Sequence, residues 1–342
     1  MFELGNGTDA DRAPKQQAIE TESAVPHVAS AASALRAVPD ASVASTDSVA
    51  PARVARMLRD ADAVVIAASN GFDISDGYNQ FACDEAFLER FSDFHRAYGL
   101  TSMLQGLMAR WPTDEARWAF LARLIDYGYR SYSPTPVMQT LDRITANKPR
   151  FVITCNCNSR FVKAGFARDS AFETEGSYAR LRCTAGCRDE DFDAPPYVEA
   201  ILRADSAAQA DIASRSDGIP ATAPSIPSDL VPRCPNCGAL LDAAVDDSGR
   251  QAAWASFRAQ QSNFQAFLEA HRSERVAILE LGMSQRNPTI KRPLMSWAES
   301  APCASYAVLN RDHAHLPRIA PERTAAIAGD LAPALDAIAN LP

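Results

Sequence analysis

The chain has 342 residues, of which 47% are hydrophobic and 22% charged, an ordinary composition for a folded protein with a sizeable core. Its 34 lysines and arginines against 42 aspartates and glutamates give a net charge of -8, which argues against nucleic-acid binding because phosphate contacts need concentrated positive charge. No run of about 18 apolar residues is present, and the first residues lack the basic and apolar regions of a secretory signal. We therefore expect a soluble cytoplasmic protein without a membrane partner.

The N-terminal segment differs in composition from the rest of the chain. Residues 1–50 are rich in Ala, Ser, Asp and Pro and have no sustained apolar period, which predicts a disordered tail. From Ala52 the pattern changes: Val54, Met57 and Leu58 fall at helical spacing, and the apolar run Ala63–Ala68, which ends in the turn Ser69-Asn70-Gly71, predicts a buried strand. A buried strand followed by a glycine-containing turn is how a parallel nucleotide-binding sheet usually begins.

A helical module follows this strand. Residues 84–147 have helical periodicity, and Trp118, Leu121 and Ile125 fall on one face of a helix that Thr113 is placed to cap. That face predicts core packing rather than a binding function.

The rest of the chain alternates strands with helices. Further strands are predicted at Arg150–Thr154, Arg275–Leu281, Ser305–Asn310 and Ala325–Ala328. The pattern predicts an α/β fold, a doubly wound (Rossmann-like) parallel sheet formed by residues 51–174 and 246–342. Residues 175–245 interrupt it as a smaller zinc-binding and helical insert domain, in which residues 204–227 are predicted to be a mobile loop.

Two cysteine pairs lie within this insert. Cys183 with Cys187 and Cys234 with Cys237 supply two knuckles, and a closed set of four thiolates is typical of a structural zinc site. The alternative is two unrelated pairs of buried cysteines. Of the remaining cysteines, Cys83 and Cys303 are predicted to be core thiols. Cys155 and Cys157 lie two apart on a strand, about 7 Å, too far for a disulfide without a bend.

The order of these features resembles the sirtuins, the NAD-dependent protein deacylases and ADP-ribosyltransferases. The resemblance covers residues 52–340. Its most informative segments are Thr154-Cys155-Asn156-Cys157-Asn158, Lys163-Ala164-Gly165, Glu175-Gly176-Ser177 and Gly282-Met283-Ser284, with the cysteine knuckles in the expected gap.

Other segments are similar to one branch, the class M sirtuins of microbes, among them Phe91-Ser92-Asp93-Phe94, Trp118–Arg123, Pro227–Gly238 and Leu279–Gly282. This resemblance implies a protein mono-ADP-ribosyltransferase with NAD as co-substrate and structural zinc as cofactor. It implies as partners a macrodomain protein and, as acceptor, a lipoyl-carrier protein of the glycine-cleavage H type.

The resemblance also implies the site residues. Asn156 and Glu175 are the expected catalytic residues, and the metal ligands are Cys183, Cys187, Cys234 and Cys237. The expected cofactor-binding residues are Ser69, Gly71, Asp73, Phe81, Asn156, Asn158, Gly282, Ser284 and Asn310. Among these, Ser69, Gly71, Gly282 and Ser284 are expected to bind phosphates through backbone N–H groups and hydroxyls, and Asn310 the adenosine ribose.

The chain departs from the family pattern at several of these positions. Ser69-Asn70-Gly71 stands where most sirtuins have Gly-Ala-Gly, and Gln80-Phe81-Ala82 replaces Asp-Phe-Arg, so that arginine is missing. Cys155-Asn156-Cys157-Asn158 keeps only the first asparagine of Gln-Asn-Ile-Asp. Glu175 occupies the position of the catalytic histidine, where class M members are implied to have glutamine.

These departures leave alternatives open. A carboxylate at position 175 favours ADP-ribosyl transfer to a protein, by stabilising the cationic ribose or deprotonating an acceptor. If burial raises its pKa, Glu175 could instead act as the base of a protein deacylase. A third possibility is a non-catalytic module that binds NAD or ADP-ribose.

Overall fold

A computed structural model describes residues 49–213, 223–246, 250–284, 288–312 and 315–341. The predicted tail therefore lies outside the described residues, apart from its last two positions, which begin helix α1 (Val49–Asp60). Within the described ranges, no helix is both long and apolar enough to cross a bilayer.

The main sheet has six parallel strands in the order β3-β2-β1-β7-β8-β9. Its strands are β1 (Ala63–Ala68), β2 (Arg150–Thr154), β3 (Ala171–Glu173), β7 (Val276–Leu281), β8 (Ser305–Asn310) and β9 (Thr324–Ala328). The observed limits of β1, β2 and β8 agree with the sequence prediction. Strand β3 was not predicted, because three residues are too few to show a period.

Helices cover both faces of this sheet. Helices α1, α6 (Pro136–Thr145) and α11 (Leu331–Ala339) pack on one face, and α9 (Ala255–Ala270) and α10 (Pro288–Ser300) on the other. In strand β1, alternate residues pack into the cores on opposite faces of the sheet, and all six residues are buried. Burial on both sides explains the continuous apolar run, so the prediction of a doubly wound sheet is confirmed.

A second core joins the helical module to the insert. The module contains α3 (Glu85–Tyr98), α4 (Met103–Met108) and α5 (Asp114–Ile125), and Thr113 caps α5 by accepting a hydrogen bond from the Ala116 N–H at 3.1 Å. The fully buried Trp118 packs in the same cluster as Leu181 and Leu241 of the insert. The module and the insert therefore stabilise each other.

The insert is built on a small antiparallel sheet in the order β5-β4-β6. Its elements are β4 (Gly176–Cys183), β5 (Asp191–Asp193), α8 (Pro195–Ala213) and β6 (Leu241–Val245). Two sequence predictions are wrong here and nearby. The helix α8 continues to Ala213 and so includes the first ten residues of the predicted loop 204–227, because its alanine-rich sequence favours helix. Cys83 and Cys303 are exposed rather than core thiols.

Candidate active site and zinc centre

The strand order reverses between β1 and β7, so a crevice opens at their carboxyl ends, where doubly wound sheets bind their ligands. The loops that follow these strands touch along their backbones. A Cβ on Gly71 would lie 2.6 Å from the Gly282 carbonyl oxygen, and Gly282 itself has φ of +60°. Only glycine fits this close approach at both positions.

Backbone N–H groups in these loops already have partners. The Ser69 N–H donates to Leu281 O at 3.2 Å, Gly71 N–H to Gly282 O at 3.1 Å, and Gly282 N–H to Leu309 O at 2.9 Å. In this arrangement the three groups hold the loops together, so the expected phosphate contacts would have to come from other donors or from a rearrangement of the loops. The Asn310 side chain links the neighbouring strand to the same loops by donating to Met283 O at 2.7 Å.

Asn156 lies at the carboxyl end of β2 with 3% of its surface exposed. Its side-chain amide donates to Ser69 O at 3.2 Å, and its backbone N–H donates to the Thr154 hydroxyl at 3.0 Å. The loops after β1 and β2 are thereby joined at the crevice. The buried Ser69 hydroxyl also meets the Cys155 thiol at 3.1 Å.

Glu175 enters the site from the connection between β3 and β4. The Cys157 thiol donates to the Glu175 carbonyl oxygen at 3.6 Å, and the Asp246 N–H donates to the same oxygen at 3.0 Å. Burial, together with the negative charge of Glu175, raises the pKa of Cys155 to about 11 and that of Cys157 well above its ordinary value. Both thiols therefore stay protonated at neutral pH and are not nucleophiles here.

Asp73 and Asn158 form a buried pair on the floor of the crevice, where the Asn158 amide donates to Asp73 Oδ2 at 2.7 Å. Burial raises the pKa of Asp73 to about 8, despite the opposing effect of the nearby Arg160 guanidinium. Asp73 is therefore mostly uncharged at neutral pH and can donate a hydrogen bond of its own.

Arg160 is a buried residue that the sequence analysis did not find. Its guanidinium pairs with the Asp76 carboxylate at 3.2 Å, donates to Gly128 O at 3.0 Å, and stacks on Tyr78 and Tyr132 at 4.6 and 4.3 Å from the ring centroids. The Thr135 hydroxyl also donates to Asp76. This network joins α2 (Asn70–Ser75), the π-helical turn Asp126–Arg130 and α7 (Arg160–Lys163) behind the crevice.

The remaining predicted residues lie around the opening. Phe81 is 47% exposed, in the loop between α2 and α3. Ser284 is exposed and follows the loop that leaves β7. Direct contacts thus link the loops that carry Ser69, Gly71, Asn156, Gly282 and Asn310 and pair Asp73 with Asn158, whereas Phe81 and Ser284 have exposed side chains.

The two cysteine knuckles meet in the insert. The sulfurs of Cys183 and Cys237 lie 3.5 Å apart, as do those of Cys187 and Cys234, and all four fall within 4.8 Å of one another. Four sulfurs bound to one tetrahedral zinc at 2.3 Å lie about 3.8 Å apart, so this cluster fits a structural zinc ion.

Comparison with known proteins agrees with this geometry. No protein-family model matches the chain. A protein ADP-ribosyltransferase of Staphylococcus aureus (strain Mu50 / ATCC 700699) is 27% identical over 278 residues, covering 80% of this chain and 81% of the relative. A probable bifunctional ADP-ribose hydrolase/ADP-ribosyltransferase of Fusarium oxysporum f. sp. cubense is 26% identical over 69% of this chain, which spans only 38% of that protein.

Solved structures give the fold. A Sir2 homologue in complex with NAD superposes with a TM-score of 0.50 at 15% identity, covering 84% of this chain and 92% of that one. A mutant Sir2 homologue in complex with ADP-ribose gives the same TM-score and identity over 84% and 94% of the two chains. The protein thus has the sirtuin (Sir2) fold and is a homologue of a protein ADP-ribosyltransferase.

Proposed function

We propose that the protein is a mono-ADP-ribosyltransferase that cleaves the nicotinamide–ribose bond of NAD and transfers ADP-ribose to a protein acceptor. A lipoyl carrier of the glycine-cleavage H type is the proposed acceptor and a macrodomain protein a proposed partner, as members of the class M branch imply. The observation that carries the proposal is that Asn156 bonds the loop after β1 while its neighbour Cys157 bonds the Glu175 carbonyl oxygen, in a chain homologous to an ADP-ribosyltransferase.

The crevice suits a dinucleotide. It opens where the strand order reverses, and the contact between Gly71 and Gly282 leaves no side chain on its floor at that point. An uncharged Asp73 adds no negative charge to a site that must accept a pyrophosphate. We assign NAD binding to this crevice, with Ser69, Ser284 and Asn310 on the nucleotide and Asp73 with Asn158 on its floor.

Bond cleavage develops positive charge on the ribose carbon, and the residues around Asn156 meet that requirement. The Asn156 amide donates to Ser69 O, and its side-chain oxygen, which accepts a long contact of 3.9 Å from the Cys155 thiol, is the group that we assign to the ribose. We assign Glu175 to stabilising the cationic ribose and deprotonating the acceptor. The protonated thiols of Cys155 and Cys157 beside it do not compete as nucleophiles.

Deacylation is the second candidate, because a carboxylate can serve as a base for a ribose hydroxyl. The histidines of the described chain offer little support for it. His95 bonds Leu100 O at the end of α3, and His271 pairs with Glu274 at the end of α9. A deacylase would then depend on Glu175 alone. The third candidate is a module that binds NAD without turnover, and no contact among the described residues specifically favours it.

The test is transfer of label from adenylate-labelled NAD to a purified lipoyl carrier, with nicotinamide release measured in parallel. We compare the wild type with Glu175→Ala, Asn156→Ala and the control Glu190→Ala, an exposed carboxylate of the insert. We expect label on the carrier with the wild type and the control, and a loss of at least about 100-fold in both site variants, the size of one general base.

Other results separate the candidates. O-acyl-ADP-ribose formed from an acylated peptide, without labelled protein, would establish the deacylase. NAD binding without nicotinamide release would establish the module. Transfer to a different protein in place of the carrier would retain the transferase and exclude only the proposed acceptor.

A further inference from the structure

A second cavity lies at the edge of the main sheet, outside the crevice assigned to NAD. It has a volume of about 190 Å³ and lies between β3, the start of β4 and the start of α9. Glu173, Ser177 and Gln260 supply polar groups, and Trp254 and Phe257 supply aromatic rings. None of these residues has a role in the transferase proposal.

An irregularity of the insert sheet opens the cavity. Gly176 and Ser177 pair with Val245 and Ala244, but the next paired residue of β4 is Leu181, opposite Ala243. The intervening residues have no paired residue on β6, and Arg180 lines the cavity while Tyr178 is buried in the core. Gly176 has φ of +91°, and a Cβ there would lie 2.0 Å from Ala244 O. Bulges of this kind redirect side chains and are common beside functional sites.

The charged residues around the cavity differ in whether they have an ion-pair partner. Arg180 pairs with Asp193, and Asp191 pairs with Arg182, both within the insert. Arg168 also lines the cavity, is exposed, and forms no side-chain hydrogen bond or ion pair with any residue that the structure describes. Its guanidinium is therefore the cation of this cavity that remains available to a ligand.

Glu173 faces the cavity from β3 and is 5% exposed. The Ser159 hydroxyl donates to its Oε1 at 2.6 Å and meets the Ser177 hydroxyl. Burial raises the pKa of Glu173 to about 7, against the opposing Ser159 hydrogen bond and the positive charge of Arg168. Three other charged residues line the cavity, namely Arg168, Arg180 and Asp191. Cys157 is a further titratable neighbour of Glu173, and the residues of α9 that line the cavity are neutral.

We propose that this cavity binds a small planar monocarboxylate. The Arg168 guanidinium holds the carboxylate of the ligand, and the Glu173 carboxyl donates a hydrogen bond to it. Trp254 and Phe257 cover the apolar body of the ligand. A guanidinium matches a carboxylate with two parallel hydrogen bonds. One face of Trp254 is already covered by Arg182, at 4.8 Å from the ring centroid. A compact anion such as phosphate would leave the aromatic rings uncovered, so the rings favour a ligand with an apolar body.

Benzoate is the probe, measured by ligand-detected NMR titration of the full chain at pH 6.0 and 8.5. Benzyl alcohol and benzylamine are its neutral and cationic counterparts, and inorganic phosphate is the compact anion. We expect benzoate alone to bind, and Arg168→Ala to weaken it by at least about tenfold, as for other charged hydrogen-bond partners. The matched control is Arg110→Ala, another exposed arginine, which should leave the benzoate affinity unchanged.

Proton uptake at Glu173 gives a second readout. Benzoate should bind about 10- to 30-fold more tightly at pH 6.0 than at pH 8.5, and Glu173→Gln should abolish this dependence. Benzoate binding that survives Arg168→Ala, equal binding of benzyl alcohol, preferred binding of phosphate, or no binding of benzoate would each overturn the proposal. The measurement needs no NAD turnover, so its outcome is independent of the transferase test.

Discussion

Replacing Asp73 with asparagine tests whether the floor of the crevice carries an uncharged carboxyl. Asp73 is 4% exposed and accepts a hydrogen bond from the Asn158 amide at 2.7 Å. Burial raises its pKa from 3.8 to about 8. Asparagine has nearly the shape of a protonated aspartate and keeps an oxygen for Asn158, but it cannot ionise.

The size of the effect follows from proton linkage. Between pH 6 and pH 8 the unfolded chain has already released this proton, while the folded protein still holds most of it. Raising the pH therefore lowers the stability of the wild type, by up to about 1.4 kcal/mol per pH unit from this group. Over the whole interval the loss is about 2 kcal/mol, because Asp73 itself begins to ionise near pH 8.

The assay is urea unfolding of zinc-saturated protein at pH 6, 7 and 8. Relative to the wild type, Asp73→Asn should gain about 2 kcal/mol between pH 6 and pH 8. Glu173, which also titrates in this interval, is present in both proteins, so its contribution cancels. Asp62→Asn is the control, because an arginine partner keeps the pKa of Asp62 at about 2. Equal pH slopes for the wild type and Asp73→Asn would refute an uncharged Asp73.

Three further substitutions test the zinc site, the loop contact and a buried ion pair. Cys234→Ser should reduce the zinc content from about one ion per chain to almost none by metal analysis, and full retention would exclude the four-cysteine site. Gly282→Ala should lower the free energy of unfolding by about 2–4 kcal/mol, since its Cβ would lie 2.5 Å from the Gly71 backbone; a loss below about 0.5 kcal/mol would contradict the contact. Lys291→Met should cost about 3–5 kcal/mol by stranding the buried Glu280, 2.6 Å away, and the double variant with Glu280→Gln should recover much of it. Additive losses in that cycle would show that the two side chains are not coupled.

The main sheet was predictable because both of its faces are covered. Ala63–Ala68 sends alternate residues into two cores, so the whole segment is apolar and its limits show in the sequence. The cysteine knuckles were predictable for a similar reason, since zinc ligation constrains residue type and spacing within a few positions. In both cases the physical requirement acts on consecutive residues.

The features that were missed depend on contacts between distant segments. Arg160 looks like an ordinary surface residue in sequence, and its burial becomes apparent only when Asp76 and two tyrosines close around it. The cavity beside Glu173 arises from a register shift between β4 and β6, which leaves no pattern in either strand. Neither the hydrophobic period of a segment nor the spacing of residues within it indicates contacts between distant segments.

The pair Asp73–Asn158 shows how departures from a family motif can compensate in space. Judged by sequence, position 158 has an asparagine where the resembling family has aspartate, so a carboxyl group is missing from the loop after β2. The structure places the carboxyl of Asp73, from α2, in a hydrogen bond with Asn158 itself. Asn158 can donate to this carboxyl, which an aspartate could not do without a proton. The loop after β2 therefore lies against a carboxyl although position 158 is an asparagine, so the residue types of one motif do not by themselves define which groups surround that loop.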